Sequence, residues 1–275
     1  MRRVLQWTLA VLITLLAIVY QRNTGPTRDK DVQVVIDGDE YLFSLVRSHG
    51  GKSDCPVVLQ IPKQVTGEIH YRLYPTNNEW SIIEMERHDD LLSGSLPNLP
   101  PAGKYEYKIV LKKGGDSIPV NSGEPVVIRF KGDVPATVLV PHIILMFLAM
   151  LLSNLAGIMA VFRNPEFVRF TRLTFWTVLA GGLIFGPWVQ WYAFGEAWAG
   201  VPFAWDLTDN KTLIAFLFWL LAFLMNRKKE RPVYTITAAA VMVIIFSIPH
   251  SMYGSQLDPE TGEIIQGAIG LYFYP

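Results

Sequence analysis

The sequence predicts a membrane α-helical bundle of five transmembrane helices, with an all-β domain inserted after the first helix. Two observations support this prediction. Long apolar runs alternate with short basic clusters, and the stretch 27–132 between the first two runs alternates like β-strands. The chain of 275 residues is 51% hydrophobic and its formal net charge is zero. A balanced charge gives no indication of a nucleic-acid partner, and an apolar composition favours the lipid bilayer as one partner.

The basic clusters predict the orientation of the apolar runs. Short basic loops stay on the cytoplasmic side of a bacterial inner membrane. The clusters are Arg2 and Arg3; Arg163, Arg169 and Arg172; and Arg227, Lys228, Lys229 and Arg231. The rule predicts a multi-pass protein of the bacterial cytoplasmic membrane. Its N-terminus would be cytoplasmic, and its β domain and C-terminus would be periplasmic.

The apolar runs give five predicted spans. Residues 1–21 are expected to form an uncleaved signal anchor, because no small-x-small cleavage site follows the run. The other spans are 134–162, 173–194, 208–225 and 233–248, which together form a four-helix bundle over 134–250. Thr208 and Asp209 are expected to cap the fourth span. Asp, Glu, Lys and Arg are absent from the middle of every span, which argues against a proton-coupled transporter.

Two polar features lie beside this bundle in the sequence. Ser153 and Asn154 fall near the middle of the second span, and we expect them to form hydrogen bonds with a neighbouring helix. The C-terminal tail 251–275 is predicted to be periplasmic. Within it, 258–263 reads Asp-Pro-Glu-Thr-Gly-Glu, which predicts a tight turn between two short extended pieces.

The periplasmic domain is predicted over 27–132. Turn signals such as Asp37-Gly38 and Gly114-Gly115 separate short alternating segments. That spacing favours a β-sandwich, with an immunoglobulin- or fibronectin-III-like module as the first choice. The predicted strands are 32–36, 41–46, 57–61, 68–74, 80–85, 104–111 and 126–130. Cys55 is the only cysteine, so an intrachain disulfide is excluded and a buried thiol is expected.

An aromatic outer loop is predicted over 186–211. It contains four of the eight tryptophans, a pattern typical of a membrane interface. Polar residues beside them predict a structured lid over the outer mouth of the bundle. The lid residues are Gln190, Trp205, Asp206 and Asp209, with Asn210 and Lys211 in the same set. Acidic residues are also favoured at a helix N-terminus by the dipole alone. Catalytic motifs are absent, so no catalytic residue is predicted and enzymatic activity is left open.

A cofactor site is the second functional hypothesis. His142 lies about 10 Å below the outer end of the second span, and His250 closes the fifth span at a similar depth. Paired imidazoles on antiparallel helices suit haem b, and imidazole with thioether suits copper. The candidate ligands are His142, Met146, Met150, His250 and Met252. Ordinary packing and hydrogen bonding of these residues is the alternative.

Four stretches resemble segments of a family of uncharacterised bacterial inner-membrane proteins. The stretches are 142–150, 186–190, 205–212 and 248–255. The resemblance implies a bacterial origin and this architecture, and it transfers no catalytic residue. The fold is also similar to copper-handling membrane proteins, by analogy alone.

Three functions follow as expectations, in decreasing order of support. The first is a non-enzymatic accessory or assembly subunit at the periplasmic face, with a membrane or periplasmic protein as partner. The alternative is a haem- or copper-binding redox or metal-handling protein that uses His142 and His250. The third is a membrane hydrolase or transferase that uses Asp206 or Asp209.

Overall fold

The computed structural model describes residues 2–249 and 254–265, and these form two compact units. The described part of the helical unit comprises 2–26, 134–249 and 254–255. The β unit comprises Thr27–Asp133 and Gln256–Ile265. The protein is therefore a mixed helical and β protein. Residues 256–265, predicted as part of a separate tail, belong to the β unit.

Apolar helices make up the helical unit. In chain order they are α1 (Arg2–Thr24), α2 (Ala136–Val161), α3 (Phe167–Val178), a π-helix (Leu179–Phe185), α4 (Gly186–Phe194), α5 (Leu207–Met225) and α6 (Pro232–Ser247). Among the described residues, four helices are long and apolar enough to cross a membrane: α1, α2, the continuous run Phe167–Phe194, and α5. At 16 residues, α6 is shorter, about 24 Å against a hydrocarbon core of about 30 Å.

The observed helices correct several predicted boundaries. The third predicted span, 173–194, begins earlier, at Phe167, and contains the π-helix. The predicted outer loop 186–211 is helical at both ends, because α4 occupies its first part and α5 begins at Leu207. Only 195–206 connects the two helices. The loop residues are therefore held at both sides by helices.

Small side chains lie at several helix contacts in the interior of the helical unit. Ala156 and Ala238 are fully buried, whereas Leu16 is 69% exposed and Ile244 is 66% exposed. At Gly157, an added Cβ would lie 2.6 Å from the Cβ of Ala239, so α2 and α6 approach each other closely there. Many large apolar side chains of these helices therefore lie on the outer surface of the unit, although Trp219 and Leu155 are fully buried.

The strands of the β unit surround one hydrophobic core. They are β1 (Lys30–Ile36), β2 (Asp39–Leu45), β3 (Ser48–Gly50), β4 (Cys55–Gln60), β5 (Thr66–Leu73), β6 (Ser81–Glu84), β7 (Glu86–His88), β8 (Leu91–Leu96), β9 (Lys104–Lys113), β10 (Asp116–Pro119), β11 (Val126–Lys131), β12 (Gln256–Leu257) and β13 (Ile264–Ile265). One sheet has the order β3-β11-β9-β5-β6, with β10 paired to β9. A second sheet has the order β4-β8-β7, and β1 pairs with β2. The pairing of β3 with β11 is parallel, and the other pairs are antiparallel.

Strands from these sheets share the core. Leu59, Leu92, Ile69 and Ile109 are at most 1% exposed and belong to the same buried cluster. The thiol of Cys55 belongs to it too, as predicted. The predicted turn in the tail is also confirmed, because β12 and β13 pair antiparallel around it. The likeness to an immunoglobulin or fibronectin-III module stays a prediction.

The sequence did not predict β3, β7, β8 and β10. The strand β8 was missed because Gly94 and two serines interrupt its apolar alternation. An added Cβ at Gly94 would lie 2.8 Å from Cδ1 of Ile69, so the core requires a residue without a side chain there. The glycine that makes this strand difficult to recognise in the sequence is therefore required for its packing in the fold.

Candidate functional site

Asp206 caps the N-terminus of α5. Its Oδ1 accepts hydrogen bonds from the backbone N–H groups of Thr208 (2.8 Å) and Asp209 (3.2 Å), and its Oδ2 accepts from that of Ser255 (3.2 Å). The side chain is 3% exposed. The prediction that Thr208 and Asp209 form the cap is wrong, because α5 begins at Leu207 and the residue before it takes the capping position.

Asp209 joins α4, the connecting loop and α5. Its Oδ2 accepts hydrogen bonds from Nε2 of Gln190 (2.9 Å) and from the backbone N–H of Ala199 (2.6 Å). An added Cβ at Gly200 would lie 2.8 Å from the Cβ of Asp209, so the loop backbone rests directly on the helix. Gln190 and Asp209 are 9% and 6% exposed. The carboxylate therefore holds the loop in a mostly desolvated position.

Lys211 and Asn210 complete the polar network at the start of α5. The ammonium of Lys211 donates to the carbonyl oxygens of Ile248 (2.7 Å) and Pro249 (3.3 Å), and this side chain is 2% exposed. Oδ1 of Asn210 accepts from the backbone N–H of Val201 (2.8 Å). These contacts fix the end of α6 and the connecting loop on α5.

The structure thus brings three of the predicted lid residues, Gln190, Asp206 and Asp209, into one buried network. Trp205 lies outside it and is 69% exposed. The carboxylates and the ammonium bind groups of the chain itself, so the network is suited to holding the loop. Lys211 is the residue whose importance the sequence did not reveal, because its acceptors are carbonyl oxygens that follow α6.

His142 is held by the π-helix. Its Nδ1 lies 2.9 Å from the carbonyl oxygen of Gly181, which also accepts from the backbone N–H of Gly186. Because a carbonyl oxygen only accepts, Nδ1 carries the proton, and in the neutral ring Nε2 keeps a lone pair. Nδ1–H bonded to a backbone carbonyl is the arrangement that orients a metal-ligating histidine.

The neighbourhood of Gly181 brings three helices together. An added Cβ at Gly181 would lie 3.1 Å from Sδ of Met146, and one at Gly182 would lie 2.7 Å from Cγ2 of Thr212. Met146 and His142 therefore both pack against the π-helix, one helical turn apart on α2. Glycine at 181 and 182 permits this close approach. The Gly181-Gly182 and Gly186-Pro187 pairs are the feature of the sequence from which this irregular segment could be inferred.

The other candidate ligands do not join this pair within the described residues. Met150 is 7% exposed and packs in the core of the helical unit. His250 and Met252 lie outside the described residues. No group of three or more His, Cys, Asp or Glu side chains suited to a metal ion occurs in 2–249 or 254–265. The observed part of the proposed ligand set is therefore His142 with Met146.

Polar contacts also attach α1 to α2. Nδ2 of Asn154 donates to Oγ1 of Thr14 (2.9 Å), which confirms the predicted hydrogen bond of Asn154 to a neighbouring helix. Nδ2 of Asn164, in the turn after α2, donates to Oε1 of Gln6 (3.2 Å). The hydroxyl of Ser153, in contrast, has no hydrogen-bond partner among the described residues. The two pairs show that α1 and α2 run antiparallel.

A second buried polar cluster lies where α5 ends and α6 begins. Nδ2 of Asn226 donates to the carbonyl oxygen of Ala222 (2.8 Å) and to Oγ1 of Thr235 (3.3 Å), and its Oδ1 accepts from the backbone N–H of Arg231 (2.7 Å). The hydroxyl oxygens of Thr235 and Thr171 lie 3.0 Å apart. The ends of α5, α6 and α3 therefore converge at this cluster.

Comparison with known proteins assigns no relative. No protein-family model matches the chain, and no curated protein matches it. The function is therefore inferred from the chain's own residues and geometry.

Proposed function

We propose that the protein is an integral protein of a bacterial inner membrane and acts as a non-enzymatic accessory or assembly subunit at the periplasmic face. One observation carries the membrane assignment: the helices expose many large apolar side chains and bury small residues at several of their contacts. Val4 and Leu16 are both 69% exposed, and Val233 is 67% exposed, whereas Ala10 and Ala222 are fully buried. Exposed apolar surface of this extent is unfavourable in water, and small residues at helix contacts are typical of bilayer packing.

The proposed topology is supported by the helix pairing. Because α1 and α2 are antiparallel, Arg2 and Arg3 lie at the same end of the unit as Arg163. The hydrogen bonds of Asn226 and Thr235 bring the start of α6 to this end as well, since Thr171 lies just after the turn that follows α2. One end of the unit therefore collects the basic residues, as expected for a cytoplasmic face.

The accessory role is supported by the polar network at the start of α5. Asp206, Asp209 and Lys211 are each satisfied by groups of the chain, and buried networks of this kind rigidify a fold. A rigid periplasmic end suits a scaffold on which another protein is assembled. In mild detergent, we expect the native chain to migrate with a different membrane or periplasmic protein. Recovery of the chain alone, or only with copies of itself, would refute this role.

The topology is tested by labelling single cysteines in intact spheroplasts with a membrane-impermeant thiol reagent. Cys55 is first replaced by alanine. Cysteines placed at Asn164 and Lys229 should resist the reagent until the membrane is opened, and one placed at Glu260 should react at once. Labelling at position 229 from outside would overturn the proposed topology.

A second candidate function is favoured by the geometry of His142. Its Nδ1–H is fixed on the carbonyl oxygen of Gly181, so Nε2 is free to bind a metal, and Met146 packs on the same segment. Such a pair suits haem b, with a second histidine such as His250, or copper, with thioether sulfur. The protein would then be a redox or metal-handling protein.

Optical spectra and metal analysis test this second candidate. Protein purified from membranes should show a Soret band if it binds haem, or contain copper, and His142→Ala should lose either signal. His88→Ala is the matched control, because His88 is an exposed histidine of the β unit. Equal spectra and equal copper content in all three proteins would exclude this function.

A further inference from the structure

An open apolar groove runs between α1, α2 and α6, with a volume of about 460 Å³. Its walls include Leu9 and Ile13 of α1, Gly157 of α2, Ile236 and Ile244 of α6, and Phe162 just after α2. The polar side chain in this lining, Asn154, donates its amide to Thr14. The lining therefore offers mainly hydrocarbon contacts, and its polar side chain is already hydrogen-bonded within the chain.

The dimensions of the groove suit one acyl chain. On α2 its lining runs from Asn154 to Phe162, about 12 Å at 1.5 Å per residue, and on α6 it runs over a similar length from Ile236 to Ile244. One leaflet of the hydrocarbon core is about 15 Å thick. The length of the groove therefore matches that of one acyl chain within a single leaflet.

One end of the groove is basic. Arg163 directly follows Phe162, and Arg231 directly precedes α6, whose residue Ile236 lines the groove one turn later. Relative to the contact of Gly157 with Ala239, the two arginines lie about 9 Å and 12 Å along their helices in the same direction. Both are exposed, and neither forms an ion pair with any described residue.

Two carboxylates, Glu166 and Glu230, lie at this end. Glu166 pairs with Arg3, with Nη2 and Oε2 3.2 Å apart. Glu230 is exposed beside Arg231 in the chain, but Arg163, Arg231 and the neighbouring Lys228 and Lys229 leave this end positively charged. An anionic group at the mouth of the groove would complement them.

Arg163 occupies a backbone position that favours glycine. Its φ is +53°, and the backbone N–H groups of Arg163 and Asn164 donate to the carbonyl oxygens of Ala160 and Met159 (3.1 and 2.9 Å). This is the Schellman ending of a helix, in which the left-handed residue is usually glycine. In this left-handed conformation arginine lowers the stability of the fold relative to glycine or asparagine, and strained residues of this kind cluster at functional positions.

We propose that this groove binds an anionic phospholipid of the cytoplasmic leaflet, with one acyl chain between α1, α2 and α6 and the phosphate at Arg163 and Arg231. The proposal rests on the membrane topology proposed above. The cytoplasmic leaflet is the one that carries anionic lipid and attracts basic residues near the surface. Such a lipid would join α1 to the rest of the helical unit.

Native mass spectrometry of the detergent-purified full chain tests the proposal. The probes are phosphatidylglycerol and phosphatidylcholine with identical acyl chains. The wild type should retain phosphatidylglycerol in preference. Arg163→Asn should bind it about fivefold more weakly, because each basic residue near an anionic lipid contributes about 1 kcal/mol. Because asparagine tolerates the left-handed backbone, this variant should fold at least as stably as the wild type. Arg163→Lys should retain most of the binding.

The apolar part of the groove is tested with a pair of α6 variants. Ala240→Leu places bulk into the groove and should lower retention of both lipids, since Ala240 lines it. Thr237→Leu is the control, because Thr237 is exposed on α6 and does not line the groove. Arg172→Gln is the charge control, because Arg172 is exposed on α3, which does not border the groove.

The outcomes separate this proposal from the proposed function. Equal retention of phosphatidylglycerol by the wild type, Arg163→Asn and Ala240→Leu would overturn the lipid site, even for a chain recovered from membranes. The lipid site would also be overturned if the chain forms a dimer that does not depend on added lipid and that Ala240→Leu abolishes. That result would assign the groove to a second copy of the chain. Recovery of the chain in the soluble fraction would refute the membrane assignment itself.

Discussion

Removal of the Asp209 carboxylate should strongly destabilise the helical unit. In Asp209→Ala, Nε2 of Gln190 and the backbone N–H of Ala199 lose their acceptor in a site where Asp209 itself is 6% exposed. A buried donor left unpaired costs about 1–3 kcal/mol. Two such donors, with partial access of water, should lower the free energy of unfolding by about 3 kcal/mol. For a unit of this size, that corresponds to a fall in Tm of about 6–12 °C.

Thermal unfolding of the purified protein in detergent, followed by far-UV circular dichroism, measures this effect. Asp209→Asn keeps one acceptor oxygen and should lose about half as much stability. Thr208→Ala is the control in the same turn, because the Thr208 hydroxyl makes no hydrogen bond among the described residues, and it should stay within about 0.5 kcal/mol of the wild type. Equal melting of Asp209→Ala and Thr208→Ala would refute the structural role assigned to the network.

Three further predictions concern the β unit. Burial lowers the pKa of Lys104 to about 8. Between about pH 8 and 10.5 the unfolded chain therefore binds more protons than the folded chain, and the free energy of unfolding should rise with pH across this range. Urea titrations should show a larger rise in the wild type than in Lys104→Met. Burial raises the pKa of the Cys55 thiol to about 11, so at pH 8 iodoacetamide should modify it slowly in the folded protein and rapidly in denaturant; equal rates would contradict its burial. Gly94→Ala should cost about 1–3 kcal/mol because its Cβ would meet Ile69, whereas Gly50→Ala should be tolerated, and similar urea midpoints for the two would contradict the close packing.

Local periodicity explains which elements could be predicted from the sequence. The long apolar run of α2 and the alternation in β9 each contain their own signal, so their positions agree with the structure to within two residues. The start of α5 was misplaced because Asp206, Thr208 and Asp209 are all good capping residues. In the fold Asp206 takes the capping position, and it also accepts a hydrogen bond from Ser255, which is distant in the sequence.

The candidate site was predictable only in part, because its contacts are tertiary. Polarity and position indicated Gln190 and Asp209 as lid residues, yet nothing local showed that one binds the other across 19 positions. The partner of His142 is a backbone carbonyl 39 residues away, exposed by a π-helix. A side-chain pattern cannot show a backbone acceptor of that kind. The pairing of His142 with His250 remains a prediction, since His250 lies outside the described residues.

The bond between Thr14 and Asn154 has a consequence for the biosynthesis of the protein. The two residues are 140 positions apart. At about 5–20 residues per second, roughly 7–28 s separate their synthesis. In the proposed topology, α1 is therefore inserted in the bilayer before the β unit is synthesised and exported. During that interval the Thr14 hydroxyl can donate to the carbonyl oxygen of Ala10 in its own helix (2.7 Å), so its proton is satisfied within α1 and its oxygen can still accept from the later helix. The arrival of Asn154 then docks α2 against a partner that was already in place.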